Sequence, residues 1–230
     1  MRGLPAVLLL CLSAQVAALC ERPLKVAAEH WPPYSVLSED GWQGTDVDHV
    51  RALLRRAGCE VIFMDTPPGR SHVMLEKGEV DILMAASDVP ERHRYALFSK
   101  PYRREVMAVF ALAGRDDLPG GFPALLASDH TLVAPRSGWY GEAFAAVRGD
   151  LIGNHQLIAF DYTLQAVSIL AAGRADLLMG DQQSILITAK NLGVKLSQRW
   201  IANDAPVHLM LSRASLSEAH LQRINAALSP

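Results

Sequence analysis

The sequence predicts an α/β fold of two lobes, each a parallel-rich sheet with flanking helices, joined by two extended crossings. Three observations lead there. Short apolar runs alternate with helical patterns almost throughout, the βαβ rhythm of a sheet whose buried strands read as continuous apolar stretches. One passage echoes another: Gly78-Glu79-Val80-Asp81-Ile82-Leu83-Met84 and Gly173-Arg174-Ala175-Asp176-Leu177-Leu178-Met179 share Gly, Asp, Leu and Met in register. Two extended apolar stretches, 106–114 and 206–212, lie where a chain would pass between the halves.

The elements follow in order. Residues 1–18 form an expected secretory leader: Arg2, an apolar stretch over 4–12, then Val16-Ala17-Ala18 with small residues before the cut. About nine core apolar residues are too few to span a bilayer, which needs about twenty. A lipid anchor on Cys20 is disfavoured by Leu19, where a lipoprotein signal wants Gly, Ala or Ser. The first lobe opens with strand LKVAA (24–28), a helix over 46–57, strand EVIFM (60–64), a helix over 69–76 and strand VDILMAA (80–86). Gly58 and Gly78 stand where those helices stop. The second repeats the rhythm with TLVAP (131–135), a helix over 139–147, HQLIAF (155–160), a helix over 162–172 and ADLLMG (175–180). A lone strand, PVHLMLS (206–212), precedes a final helix over 216–228. The expected division is therefore leader 1–18, first lobe 19–108, second lobe 109–204 and a return to the first lobe over 205–230.

Composition narrows function. With 22 basic and 24 acidic residues the chain carries net −2, giving no general reason to expect nucleic acid or anionic membrane as partner. The eight histidines show neither H-x-H nor H-x-x-x-H spacing, so no metal or other cofactor is expected. Cys20 and Cys59 remain after leader removal, an even count that permits a disulfide in an exported chain.

Ligands of parallel sheets bind beyond the carboxyl ends of the strands, so candidate residues are sought there. VDILMAA ends at Ser87, and the turn through Pro90 leads to Arg92, whose rigid guanidinium fork suits a carboxylate. The neighbouring Arg94, Lys100, Arg103 and Arg104 lack that placement and are read as solvated surface. TLVAP ends at Arg136-Ser137-Gly138 before an expected helix start, so the amides of Gly138, Trp139 and Tyr140 are candidates for an anion, or Gly138 merely makes the turn. Asp181 follows the last strand as acceptor for an ammonium group or as a helix N-cap. Trp31, in Glu29-His30-Trp31-Pro32-Pro33-Tyr34, either stacks on a ligand or packs on the lobe. Gly44-Thr45-Asp46-Val47-Asp48 is taken as a turn and helix cap.

With these residues in place, the chain resembles the bacterial extracellular solute-binding proteins of family 3, the polar amino acid type, in a divergent branch. Gly41-x-x-Gly44-x-Asp46-Val47-Asp48 looks like that family's G-x-x-G-F-D-V-D-L, and Lys77-Gly78-Glu79-Val80-Asp81 like its K-G-x-x-D. Pro90-Glu91-Arg92, followed after five residues by Phe98-Ser99-Lys100-Pro101-Tyr102, looks like its T-P-E-R-x5-F-S-x-P-Y. Gly173-Arg174-Ala175-Asp176 and Asp181 look like the second-lobe G-R-x-D and the acid after it. The resemblance implies a periplasmic-binding-protein-like pair of hinged lobes, acting as a monomer without catalysis. It implies an amino acid captured in the periplasm for the membrane permease of an ABC-type importer. By position, Arg92 would hold the carboxylate, Ser87 and Asp181 the amino group, Trp31 would stack, and the amides of Gly138, Trp139 and Tyr140 would add to the carboxylate site.

Three departures bear on the ligand: Val89, Thr45 and Trp139-Tyr140 replace the family's Thr, Phe and small hydroxylated pair. The rival reading is a dehydratase of the cyclohexadienyl type, needing only an acid in the cleft, for which Glu29, Glu142 and Asp181 are candidates. A third is a ligand-sensing module.

Overall fold

The computed structural model describes residues 20–67 and 69–228; the expected leader over 1–18 lies outside them. The chain begins with β1 (Leu24–Ala28), a hairpin of β2 (Val36–Ser38) and β3 (Gly41–Gln43), α1 (Thr45–Arg56), β4 (Val61–Asp65), α2 (Ser71–Glu76) and β5 (Ile82–Ala86). A 3-10 turn over Pro90–Arg92 leads to β6 (Ala96–Phe98) and the long β7 (Arg103–Leu112). Then come α3 (Phe122–Leu126), β8 (Leu132–Pro135), α4 (Glu142–Gly153), β9 (Leu157–Phe160), α5 (Thr163–Ala171), β10 (Leu177–Asp181) and α6 (Gln182–Asn191). The longest strand, β11 (Leu196–Ser212), and α7 (Glu218–Leu228) close the order.

The sheet runs β4-β1-β5-β11-β7-β10-β8-β9, with β6 paired to β11. At one end β1 pairs β4 and β5 in parallel, and at the other β8 pairs β9 and β10 in parallel. Between them β11 and β7 run antiparallel, in contact from Leu196 opposite Leu112 to Val207 opposite Arg103. This is the two-lobe α/β fold read from sequence, with the two crossings paired to each other as one ribbon.

The echo between the halves has a physical basis. The helices α1 and α2 end at Gly58 and Gly78 with φ of 76° and 73°, and α5 at Gly173 with φ of 66°, the left-handed geometry that stops a helix without a Cβ clash. Three residues after Gly78, Asp81 is fully buried and accepts from the Lys25 amide at the start of β1 at 2.8 Å. Three residues after Gly173, Asp176 accepts from the Thr131 amide just before β8 at 2.9 Å. Each Gly-x-x-Asp thus ties a strand's entry to its parallel neighbour's start.

Alternation along β7 supplies the core of the second lobe. Met107, Val109 and Ala111 pack on one face with Phe122, Leu132 and Phe144, while Ala108 and Phe110 pack on the other with Val167, Leu170 and Ile185. In the first lobe Leu209 and Leu211 of β11 join Leu24, Val26 and Leu53, and Met210 faces Leu75 and Leu83.

Two expectations change. The final strand is not confined to 206–212 but starts at Leu196, because its first half pairs along β7 while its side chains stay half-wet and show no apolar alternation. The helix expected over 139–147 starts instead at Glu142: Gly138 and Gly141 both hold positive φ, 119° and 94°, and keep Trp139 and Tyr140 in a loop.

Cys20 and Cys59 are joined by a disulfide, their Cα atoms 5.3 Å apart and 39 positions apart in sequence. Closing a loop of that length stabilises by about 4 kcal/mol in the chain-entropy model. Serine at both positions should lower the unfolding free energy by about that amount in urea titration. A loss under ~1 kcal/mol would show the bridge to be incidental.

Candidate functional site

The carboxyl ends of β1 and β5 and the loop after β8 meet around a cavity of about 160 Å³. One water needs about 10–15 Å³, so the space suits a solute of about ten heavy atoms. Arg92, Ser87, Trp31, Gly138, Trp139 and Tyr140 all line it, so the structure gathers six of the seven candidates in one place. Asp181 lies instead at a second cavity of about 80 Å³, which shares Glu29, Trp31, Gly69, Ser137 and Tyr140 with the first.

Arg92 is placed by the 3-10 turn and is half-buried. Its Nη1 donates to the Ser87 carbonyl at 2.8 Å, and it makes no ion pair among the described residues. Desolvation lowers its pKa, the mark of a cation held without a counter-charge. Ser87 reaches across the cleft, its hydroxyl donating to the Trp139 carbonyl at 3.3 Å.

Trp31 is half-buried and meets Tyr34 edge-on at 6.3 Å. The amides of Gly138, Trp139 and Tyr140 precede α4 and so lack the helix end that made them anion candidates. Tyr140 folds back over this loop, donating to the Ser137 carbonyl at 2.6 Å. A Cβ on Gly138 would collide with the Tyr140 ring, so glycine is required there.

Asp181 is buried and caps α6, accepting from the Ser184 amide at 2.8 Å. It also accepts from Tyr34 at 3.0 Å, a bond that joins the turn after β1 to the end of β10. Burial pushes the Asp181 carboxyl up, and burial together with the Asp181 charge pushes the Tyr34 phenol up, so Tyr34 stays a donor.

Three residues at this site escaped the sequence reading. Arg103, read as surface, has a side chain only 16% exposed; its guanidinium grips Asp46 through Nε at 2.8 Å and Nη2 at 2.9 Å. It also lies 4.1 Å over the Tyr34 ring. Asp46, read as part of a helix cap, is buried and takes a further bond from Tyr102 at 2.9 Å, while α1 is entered at Gly44 without a side-chain cap. The third is Glu105: it is 5% exposed, lines the larger cavity, and its Oε1 has no hydrogen-bond partner among the described residues. Desolvation, against the pull of Arg103, pushes its carboxyl up to about 7. The signal was strand periodicity: 103 and 105 share one face of β7, and Arg104 points away, 60% exposed.

Neither Glu29 nor Glu105 forms an ion pair among the described residues, and burial raises the Glu29 carboxyl too. His72, half-buried on the same cavity, is driven down to about 4 by burial and by Arg92, and stands neutral at pH 7.

The family model for bacterial extracellular solute-binding proteins, family 3, matches residues 24–228. No curated protein matches the chain in sequence. Among solved structures it is similar to a histidine kinase sensor domain with similarity to periplasmic binding proteins, with TM-score 0.76 and 19% identity over 91% of this chain and 90% of that one. It is similar to the arginine-bound form of truncated ArgBP from T. maritima, with TM-score 0.74 and 20% identity over 90% and 94%. An ancestral amino acid-binding protein, a precursor of cyclohexadienyl dehydratase, gives TM-score 0.73 and 22% identity over 90% and 88%. At these identities the likeness speaks for the fold.

Proposed function

The chain belongs to the bacterial extracellular solute-binding proteins, family 3, and we propose that it is an exported periplasmic protein that captures an amino acid between its lobes for an ABC-type importer. The observation that carries this reading is Arg92, a half-buried guanidinium in a solute-sized cavity with one bond to a carbonyl and no counter-ion among the described residues. A fork of that kind takes a carboxylate in two parallel bonds. Ser87 and Asp181 receive the α-amino group, the ammonium joining the Tyr34 hydroxyl on Asp181. Trp31 covers the ligand stem, and the loop amides of Gly138, Trp139 and Tyr140 add to the carboxylate site. Binding both lobes at once favours the closed arrangement. The protein acts as a monomer and without catalysis.

The test is a thermal-shift screen of amino acids, their desamino analogues, polyamines and small organic acids, with turnover of prephenate and arogenate measured in parallel. A cognate amino acid at a hundred times its Kd stabilises by about 2.7 kcal/mol, roughly 5–10 °C for a chain this size. Its desamino analogue should shift far less. Equal shifts would leave a carboxylate binder, and turnover would make the protein a dehydratase. The kinase sensor likeness supports a second use of the same cleft, signalling through a membrane partner; growth on the ligand as sole nitrogen source in a deletion strain separates uptake from sensing.

A further inference from the structure

We propose that Glu105, on the crossing strand β7, reads a second positive group on the ligand, so that the solute is an amino acid with a cationic side chain. This rests on the amino-acid reading above and narrows it.

The inference is one of charge balance around the larger cavity. Asp46 and Arg103 neutralise each other through three hydrogen bonds, with Tyr102 donating to the same carboxylate. His72 is neutral. What remains on the larger cavity is one cation, Arg92, against two acids, Glu29 and Glu105. Asp181, next door, is a third acid whose charge reaches Glu105. A zwitterion placed between Arg92 and Asp181 satisfies those two and leaves Glu29 and Glu105 without a positive partner. An acidic ligand makes the imbalance worse.

Glu105 is the more exacting of the two. Glu105 lines the cavity, its buried Oε1 has no donor among the described residues, and leaving a buried acceptor unsatisfied is costly. The groups around it are Arg103, already spent on Asp46, the acids Asp46 and Asp181, and the phenols Tyr34 and Tyr140. Tyr34 donates to Asp181 and Tyr140 to Ser137, so neither supplies the missing bond. A ligand ammonium or guanidinium supplies both the donor and the charge. It also fixes the carboxylate in its ionised form, so binding near neutral pH releases a proton.

Calorimetry with L-lysine, L-arginine, L-glutamine and L-glutamate tests this. The wild-type protein should bind lysine or arginine at least tenfold more tightly than glutamine or glutamate. Glu105→Gln should cut the ratio of lysine to glutamine affinity about ten- to a hundredfold, the worth of a hydrogen bond to a charged group. Lysine titrations at pH 7 in two buffers of different ionisation enthalpy should show proton release in the wild type and much less in Glu105→Gln. A wild type that prefers glutamine or glutamate overturns the inference but keeps the amino-acid reading, and needs no variant to fold. An unchanged ratio in Glu105→Gln overturns the role of Glu105. Binding of none of the four removes the amino-acid reading, and this inference with it.

Discussion

Arg92→Ala should reduce ligand affinity roughly thirty- to several thousand-fold, because truncating one partner of a buried charge pair costs about 2–5 kcal/mol. The effect is large because the guanidinium, on a residue that lines the cavity, makes one bond among the described residues, to the Ser87 carbonyl, and carries further donors. Removing it takes little from the empty protein, and its lowered pKa indicates that the cation is held there at a cost. The unfolding midpoint of the empty variant should therefore stay level or rise while binding is lost. Arg92→Lys keeps the charge without the planar fork and should fall between. Titration calorimetry with the best solute from the thermal-shift screen reads all three proteins. A loss under about threefold in Arg92→Ala would place the carboxylate elsewhere.

Breaking the other ion pair at the cleft should strike stability instead. Arg103→Ala leaves Asp46, whose side chain is 5% exposed, buried with Tyr102 as its one side-chain donor, and such losses cost about 3–5 kcal/mol. For a chain of this size that is a fall of roughly 6–20 °C in melting temperature. The double variant Asp46→Ala, Arg103→Ala should lose less than the sum of the single changes, since neither leaves a lone charge behind. Urea titration of the four proteins closes the cycle, and additive losses would mean that the two side chains do not act as a pair. Arg103 also lies over Tyr34, so its removal should loosen the phenol that bonds Asp181.

The parts of this architecture legible in the sequence are those whose cause is local. The strands Leu24–Ala28 and Ile82–Ala86 are buried except for Lys25 and the half-buried Met84 and Ala85, and their mostly apolar character is the direct trace of that burial. Gly58, Gly78 and Gly173 mark helix ends through their own backbone geometry. Arg92 was found because the turn at Pro90 follows a strand end directly. What was missed depends on partners far away. The character of Arg103 is decided by Asp46, 57 positions earlier, and within a run of basic residues nothing local separates it from the exposed Arg104. The polar first half of β11 is a strand only because β7 lies beside it, and its half-wet side chains carry no alternation to betray it. Trp139 and Tyr140 were placed in a helix because the following residues are helical, yet the two flanking glycines set the true start.

The long β11 has a further consequence, for the order in which the molecule is assembled. The first lobe is not made from one continuous piece of chain: the His208 ring meets the Ser99 carbonyl 109 positions away, and Ser212 donates to the Leu75 carbonyl across 137 positions. β8, β9 and β10 find their mutual partners within a much shorter span. Loop closure grows costlier with length, and contacts distant in sequence slow folding. The segment synthesised last therefore completes the half synthesised first, and until β11 arrives β5 stands as an unpaired sheet edge. The 39-residue loop closed by Cys20 and Cys59 fastens the β1 and β4 side of that half independently of β11, so part of the incomplete lobe is held while the chain waits for its final strand.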